Sequence, residues 1–482
     1  MVRKSCLRMM GMSDLFHLPV NTNDPWHHQP DLYNKIMNLW NTNTRKVCCQ
    51  LPTGGGKTRI IRMIVDYYHS SKHVIYVIAH RKKLVSQLSE ELTEAGILHG
   101  IIQSKKPMLK WRVQICSIQT LKNRLDILPI PDVIIIDEFH HSTSKSFMVA
   151  LEKWPNAFLL GMTATPQRPD GTPLSDIADA LVCGPQPRKL MDIGSLSDYE
   201  YFAPDDASAK GLHKKSGDYI DSEQMERLDN RKIIGSAVDH YKKYADHKPA
   251  IVCCVNIIHA EHVAEQFKEA GYKARAVHSK QDDRYIDESI NGLKSGQVEV
   301  LCQVDLLGEG VDIKGAVCLI MLRFTDSIVV FLQQCGRVLR SAPGKDRAII
   351  LDHVGNWSRH GLPDDEREWS LDGVTKNTGE SKYKRCPDCL HPVAKSARVC
   401  PHCGHQWTET AEAIERIPEE TEGQLVSIKE LQRMDRNKLV LEIARKAHSL
   451  KQAISIAKLY GVDNKAAWYI WTKELKNRVK AC

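Results

Sequence analysis

The stretch whose residue types and spacing carry the most chemistry is Pro52-Thr53-Gly54-Gly55-Gly56-Lys57-Thr58. Glycines let backbone N–H groups close around phosphate oxygens, and a helix starting at the end of the stretch adds positive potential. Lys57 can then reach the β and γ phosphates, and Thr58 can hold Mg²⁺. The stretch departs from GxxxxGK[ST] because Leu51 takes the first glycine position, and by itself it also reads as a flexible glycine turn. Asp137-Glu138 closes the apolar run Val133–Ile136. Carboxylates at the C-terminal end of a parallel strand face the crevice that holds a phosphate loop, so Asp137 can bind Mg²⁺ through water while Glu138 polarises an attacking water. An isolated Asp-Glu pair would read as a helix cap; the phosphate loop upstream gives it weight.

Gln333-Gln334-Cys335-Gly336-Arg337-Val338-Leu339-Arg340 is a third group, in which Arg337 and Arg340 share one helical face. Both guanidinia could cross a cleft to a γ-phosphate and stabilise charge developing there. Alone, such a pair reads as a solvated basic face. Cys386-Pro387-Asp388-Cys389 and Cys400-Pro401-His402-Cys403 form a fourth group, ten residues apart. Two CxxC knuckles can set four thiolates tetrahedrally around Zn²⁺, so Cys386, Cys389, Cys400 and Cys403 predict a structural zinc ribbon, with disulfide pairing the other reading. Four thiolates leave no open position, and no catalysis is assigned to this metal.

These groups need sheets to hold them. Continuous apolar runs at 46–51, 73–78 and 132–136 predict strands buried on both faces, hence parallel, with helices between them, and 59–68 is helix-like. A second series follows at 250–255, 298–302, 316–320 and 348–351. The expected fold is α/β: two tandem lobes with parallel sheets, followed by the ribbon and a small helical C-terminal unit. The divisions expected are an extension (1–24), a first lobe (25–191), a polar connector (192–230), a second lobe (231–358), the ribbon (380–407), an acidic linker (408–424) and a basic helical unit (425–482).

A length of 482 residues at 42% hydrophobic content allows about three domains. The net charge of +8 is uneven: from Lys429 onward there are 13 Lys or Arg against 5 Asp or Glu, whereas Thr408–Glu422 holds six glutamates and one arginine. Within the tail Leu439, Ile443, Ala447, Leu450 and Ile454 fall at helical spacing, and Trp468 and Trp471 stand three apart. The basic residues could neutralise phosphates or only keep the unit soluble, and the tryptophans could stack on bases or form its core. No run approaches the roughly 20 apolar residues that span a bilayer. Although 15 cysteines are present, Cys48-Cys49 and Cys253-Cys254 sit inside apolar runs, where thiols behave as small hydrophobes. A reducing, cytoplasmic setting without a membrane partner is expected.

The order of the motifs resembles that of superfamily 2 helicases of the DEAD/DEAH type. Gln29 resembles the adenine-reading glutamine ahead of the phosphate loop. Ala79-His80-Arg81, Ser117-Ile118-Gln119-Thr120, Asp137-Glu138-Phe139-His140, Thr163-Ala164-Thr165, Gly308-Glu309-Gly310-Val311-Asp312 and the QxxGRxxR block follow at family-like spacing over about Pro25–Asn356. The resemblance implies two RecA-like lobes with ATP and Mg²⁺ between them. Gln29, Thr53, Gly54, Gly55, Gly56, Lys57, Thr58, Asp137, Gly310 and Asp312 would surround the nucleotide, Asp312 at its ribose, and Lys57, Asp137, Glu138, Gln333, Arg337 and Arg340 would carry the reaction. Arg81, Gln119 and Thr120 would contact a nucleic-acid backbone, with Thr163 and Thr165 coupling hydrolysis to lobe movement. Phe139 departs from the commoner Ala or Cys. Among relatives the chain looks most like RadD-type DNA repair helicases and similar phage-encoded helicases, which favours DNA over RNA. Other readings are a motor subunit for a partner nuclease, an RNA helicase, and a non-catalytic zinc-ribbon binding protein. A protein partner would be held by the ribbon or the tail.

Overall fold

Each apolar run of the first series becomes a strand of one sheet. The computed structural model describes residues 18–372 except 21–23, 25, 105, 108, 110, 143–144, 169–171, 204–208, 210, 216–217, 230, 305–312 and 314, and beyond them 383–385, 392–394 and 426–427. In the first lobe β1 (Lys46–Gln50), β2 (Ile75–Ala79), β3 (Gly100–Ile102), β4 (Val113–Ser117), β5 (Val133–Asp137), β6 (Phe158–Thr163) and β7 (Ala180–Cys183) lie in the order β3-β4-β2-β5-β6-β1-β7, all neighbours parallel. Val133–Asp137 is buried throughout because helices cover both sheet faces. On one side α1 (His28–Asn41) buries Leu32, Ile36 and Trp40 and α2 (Lys57–Ser70) buries Ile60, Ile64 and Tyr68, spacings that keep one stripe inward. On the other, Tyr76, Phe139, Phe147 and Trp154 form a second core. Helix α3 (Lys82–Glu94) follows β2.

The second lobe repeats the layout. Strands β8 (Ala250–Cys253), β9 (Ala274–Val277), β10 (Val300–Gln303), β11 (Cys318–Met321) and β12 (Arg347–Asp352) lie in the order β9-β10-β8-β11-β12, again parallel. Helix α4 (Ile257–Glu269) starts at Asn256, whose side chain accepts the His259 N–H, α5 (Asp283–Ser295) starts at Asp282, and α6 (Ile328–Val338) starts at Ser327, whose hydroxyl accepts the Val330 N–H. Cys48, Cys49, Cys253 and Cys254 are buried thiols in no disulfide, and burial pushes the Cys49 thiol up to about 12.

Two segments are more ordered than their composition suggests. Within 192–230, expected as a polar connector, Leu196 and Tyr199 are buried and Asp221–Leu228 is helical. Asp218 ties this stretch to the second lobe by accepting from Arg323, Thr325 and the Asp326 N–H. After the second lobe, 361–372 runs back to the first, where the Leu371 carbonyl accepts the Leu174 and Ser175 N–H groups and the Arg367 carbonyl accepts from Gln186. Arg367 is itself buried, and its guanidinium donates to the carbonyls of His360, Leu362, Pro363 and Asp365.

A separate unit comprises Glu200–Asp205 and Tyr383–Cys482. Its described strands are Tyr383–Arg385, antiparallel to Pro392–Ala394, and Val426–Ser427, antiparallel to Phe202–Ala203. Val426–Ser427 therefore opens as strand the stretch expected to be helical; β-branched Val426 suits a pleated ladder. Cys386, Cys389, Cys400 and Cys403, the acidic linker and the rest of the tail lie outside the described residues. Among the described residues no helix is long and apolar enough to cross a membrane.

Candidate active site

Apart from Gln29, the first-lobe groups singled out from the sequence hang from C-terminal strand ends, the edge where parallel sheets leave a crevice. After β1 the chain turns through Gly54 and Gly56, at φ +86° and +90°, a left-handed conformation that side chains rarely adopt, and Gly56 caps α2. Lys57 and Thr58 are thus the first residues of a helix whose N-terminal amides face the loop. Beyond β5, Asp137 accepts the Glu138 N–H at 3.0 Å. Glu138 is held at φ +53° and largely buried, a costly conformation for a non-glycine residue of the kind found at functional sites. Its Oε1 lies 3.7 Å from Lys57 Nζ and its Oε2 3.6 Å from His140 Nδ1. His140 Nδ1 also meets Thr163 Oγ1 at 3.0 Å, and that hydroxyl accepts the Thr165 N–H and donates to its carbonyl. Phosphate loop, acidic pair and Thr163–Thr165 therefore form one connected set.

Gln29 reaches the loop from α1, with its Nε2 3.3 Å from the Gly55 carbonyl and its Oε1 buried without a partner among the described residues. An orphaned acceptor beside two left-handed glycines fits an adenine nucleotide, whose exocyclic amine would donate to Gln29 while loop amides hold its phosphates. Thr58 and Asp137 supply hard oxygen donors of the type Mg²⁺ takes. Asp312 and Gly310 lie outside the described residues.

The second lobe packs directly against the loop. A Cβ on Gly336 would come 2.5 Å from Thr53 Cβ, and one on Gly54 would lie 3.3 Å from Arg340 Cγ. Arg337, between these contacts in sequence, is 4% exposed and Gln333 is equally buried. The two arginines do not share a helical face as expected: α6 ends at Val338, and Arg340 lies beyond it in an antiparallel bridge with Leu196, because that backbone pairing draws the chain out of the helix. A pocket beside these contacts is lined by Pro52, Thr53, Leu196, Gly336, Arg367 and Trp369, among others.

Arg81 and Gln119 meet at the ends of the paired strands β2 and β4, away from the loop. The Gln119 amide donates to the His80 carbonyl at 2.7 Å, and Arg81 Nε donates to His80 Nε2 at 3.2 Å. Thr120 follows in the turn Ile118–Leu121.

Comparison with known proteins was decisive for the family. Residues 23–168 match the model of the type III restriction enzyme res subunit, and residues 232–342 match the helicase conserved C-terminal domain. A 51.5 kDa protein of a Lactococcus phage is 32% identical over 382 residues, covering 78% of this chain and 81% of the relative. The chain belongs to the superfamily 2 helicases. A Saccharomyces cerevisiae protein that carries an ATP-dependent helicase name, IRC3, is 25% identical over 357 residues, and the alignment covers 68% of this helicase and about half, 51%, of that relative. A fragment described as an HsdR subunit of a type I restriction enzyme from Vibrio vulnificus shares the fold, with a TM-score of 0.57 at 20% identity over 73% of this chain and 67% of its own. The helicase is accordingly an ATP-hydrolysing enzyme with two RecA-like lobes.

Several site residues of the helicase were not singled out from its sequence. His28, beside Gln29, contacts the Gly55 carbonyl through Nε2 at 2.9 Å. Leu196, from the connector, packs on the loop, its Cδ2 2.7 Å from where a Cβ on Gly54 would stand. Nothing local marks it, since a lone leucine in a polar stretch has no periodic partner. Phe139 lies over Gly161 of β6, where a Cβ would sit 2.2 Å from the ring. The glycine is what lets Phe occupy that position in the acidic motif.

Proposed function

We propose that this helicase is a DNA-dependent motor that hydrolyses ATP between its lobes and converts the lobe movement into translocation or strand separation. The observation that carries the proposal is the apposition of Gly336 and Arg340 to Thr53 and Gly54, which brings the end of α6 and the bridge residue just after it, with both arginines, onto the phosphate loop of the other lobe. Lys57 binds the β and γ phosphates, Thr58 and Asp137 hold the metal, Glu138 takes the proton of the attacking water, and Arg337 and Arg340 stabilise charge on the transferred group. Mg²⁺, when bound, neutralises phosphate charge. Lys57 Nζ lies 3.7 Å from the Glu138 carboxylate, so the cation that meets phosphate stands beside the base. Gln29 reads the adenine, Asp312 the ribose, and Arg81, Gln119 and Thr120 the nucleic-acid backbone. Thr163 and Thr165 link the acidic motif to lobe movement.

DNA is favoured over RNA by the restriction-enzyme family whose model covers the first lobe, and by the RadD-like character of the sequence. The same match supports a second reading, a motor working with a partner nuclease. The four cysteines form a structural zinc ribbon. Its support is the donor set itself and the antiparallel pair Tyr383–Arg385 and Pro392–Ala394, which flank in sequence the segment containing Cys386 and Cys389. ATPase rates with single-stranded, duplex and forked DNA and with RNA, together with strand displacement from a fork, test the proposal. Equal rates with and without every nucleic acid would sink it.

A further inference from the structure

Three histidines link the two ends of the first lobe's functional edge. The His80 and His141 rings have centroids 4.7 Å apart at 44°, and the His141 and His140 rings 4.2 Å apart at 43°. His80 and His141 are distant in sequence, so only the fold brings them together. His80 is tied through its ring to Arg81 and through its carbonyl to Gln119, whose Oε1 also accepts from Ser117. At the other end His140 is 1% exposed and reaches Thr163 Oγ1 and the Glu138 carboxylate. The His141 N–H donates to the Glu138 carbonyl at 3.0 Å, so the middle ring grows from the same turn that holds Glu138 left-handed.

We propose that His141 is a positioning residue that passes nucleic-acid engagement at Arg81 and Gln119 to the Glu138 carboxylate through the contacting rings of His80, His141 and His140. The proposal rests on the assignment above of Arg81 and Gln119 to nucleic acid and of Glu138 to the attacking water. The three rings are tilted and in contact, with His80 and His141 half-buried and His140 buried, so a shift of His80 when Arg81 takes a phosphate presses on His141 and, through it, on the Glu138 turn. His141 is assigned to neither ligand. Its effect is therefore a coupling between two sites, visible only when both are filled and equal in both directions.

The test uses the full chain, a mixed-sequence single-stranded DNA and the RNA of the same sequence. Two quantities are read: the stimulation of ATPase rate by nucleic acid, and the change in nucleic-acid affinity caused by a non-hydrolysable ATP analogue. His141→Ala is expected to keep basal hydrolysis within about twofold, to lose about tenfold of the stimulation, and to lose most of the analogue's effect on nucleic-acid affinity. His141→Phe, which keeps a flat ring between its neighbours, should recover most of both. His80→Ala should behave like His141→Ala, and the double variant should be no worse than either, as expected for members of one chain of contacts. Wild-type stimulation and linkage in His141→Ala, or in His80→Ala should the former not fold, overturn the proposal, as does a Phe variant as impaired as the Ala variant. Arg81→Ala separates the two assignments. If it loses stimulation while His141→Ala keeps it, the nucleic-acid face stands and the histidine relay alone is refuted. If it keeps full stimulation, the nucleic-acid assignment fails and the relay beginning there fails with it.

Discussion

Gly336 of the second lobe lies against Thr53 of the phosphate loop so closely that an added Cβ would come 2.5 Å from Thr53 Cβ and 2.8 Å from its Cγ2. A methyl group there meets the branch point of a β-branched residue, which no rotamer change removes. Gly336→Ala should therefore hold the lobes apart and lower kcat by about tenfold or more, roughly 1.4 kcal/mol of barrier, while nucleotide binding to the first lobe changes little. Steady-state kinetics with a fluorescent-nucleotide titration check this; an unchanged kcat would mean that the reacting geometry does not need this contact.

Lys57→Ala should abolish hydrolysis by removing the point charge that meets the γ-phosphate. Glu138→Gln should keep ATP binding and lose turnover by about 10²–10⁴-fold, the usual share of a general base. Near-normal hydrolysis by the Gln variant would remove Glu138 from the mechanism.

For Arg337→Ala, a fall in kcat of about 10³-fold or more is expected, with nucleotide Kd moving far less, because an arginine finger acts on charge that develops during transfer. Thermal unfolding measured in parallel distinguishes this from a packing role: Arg337 is buried, and a loss confined to Tm would mark it as structural.

Protein purified without chelators should contain about one zinc per chain. A structural site contributes on the order of 10 kcal/mol to folding its module, so Cys400→Ser should shed the metal and leave nucleotide affinity intact. Metal analysis showing no zinc would return the four cysteines to other roles.

Acid should destabilise the fold earlier than carboxylate titration alone requires. Burial pushes His353 down to about 3 and His259 and His360 to about 4, from an ordinary value of 6.5. All three are neutral when folded, whereas the unfolded chain takes up their protons near 6.5. Their contribution is thus fully present above about pH 6.5 and is lost as pH falls toward 4. Tm measured across that window should fall, and His353→Phe should make the fall shallower. A slope identical to wild type would place His353 outside this linkage.

The sequence by itself determined the strands and the motifs they carry. Runs such as Val133–Ile136 have no polar face, so only a sheet covered on both sides can hold them, and such sheets present their C-terminal ends as one crevice. Lys57, Asp137 and Glu138 were legible because local order and spacing mark them. Tertiary structure alone decided which groups meet across elements: Gly336 against Thr53, Leu196 against Gly54, His80 against His141, and 361–372 against the first lobe. Those contacts join residues far apart in the chain, each with an ordinary local environment. No periodicity announces them, because what fixes them is the packing of finished elements, where space left by a glycine or filled by a ring depends on how the strands and helices are stacked.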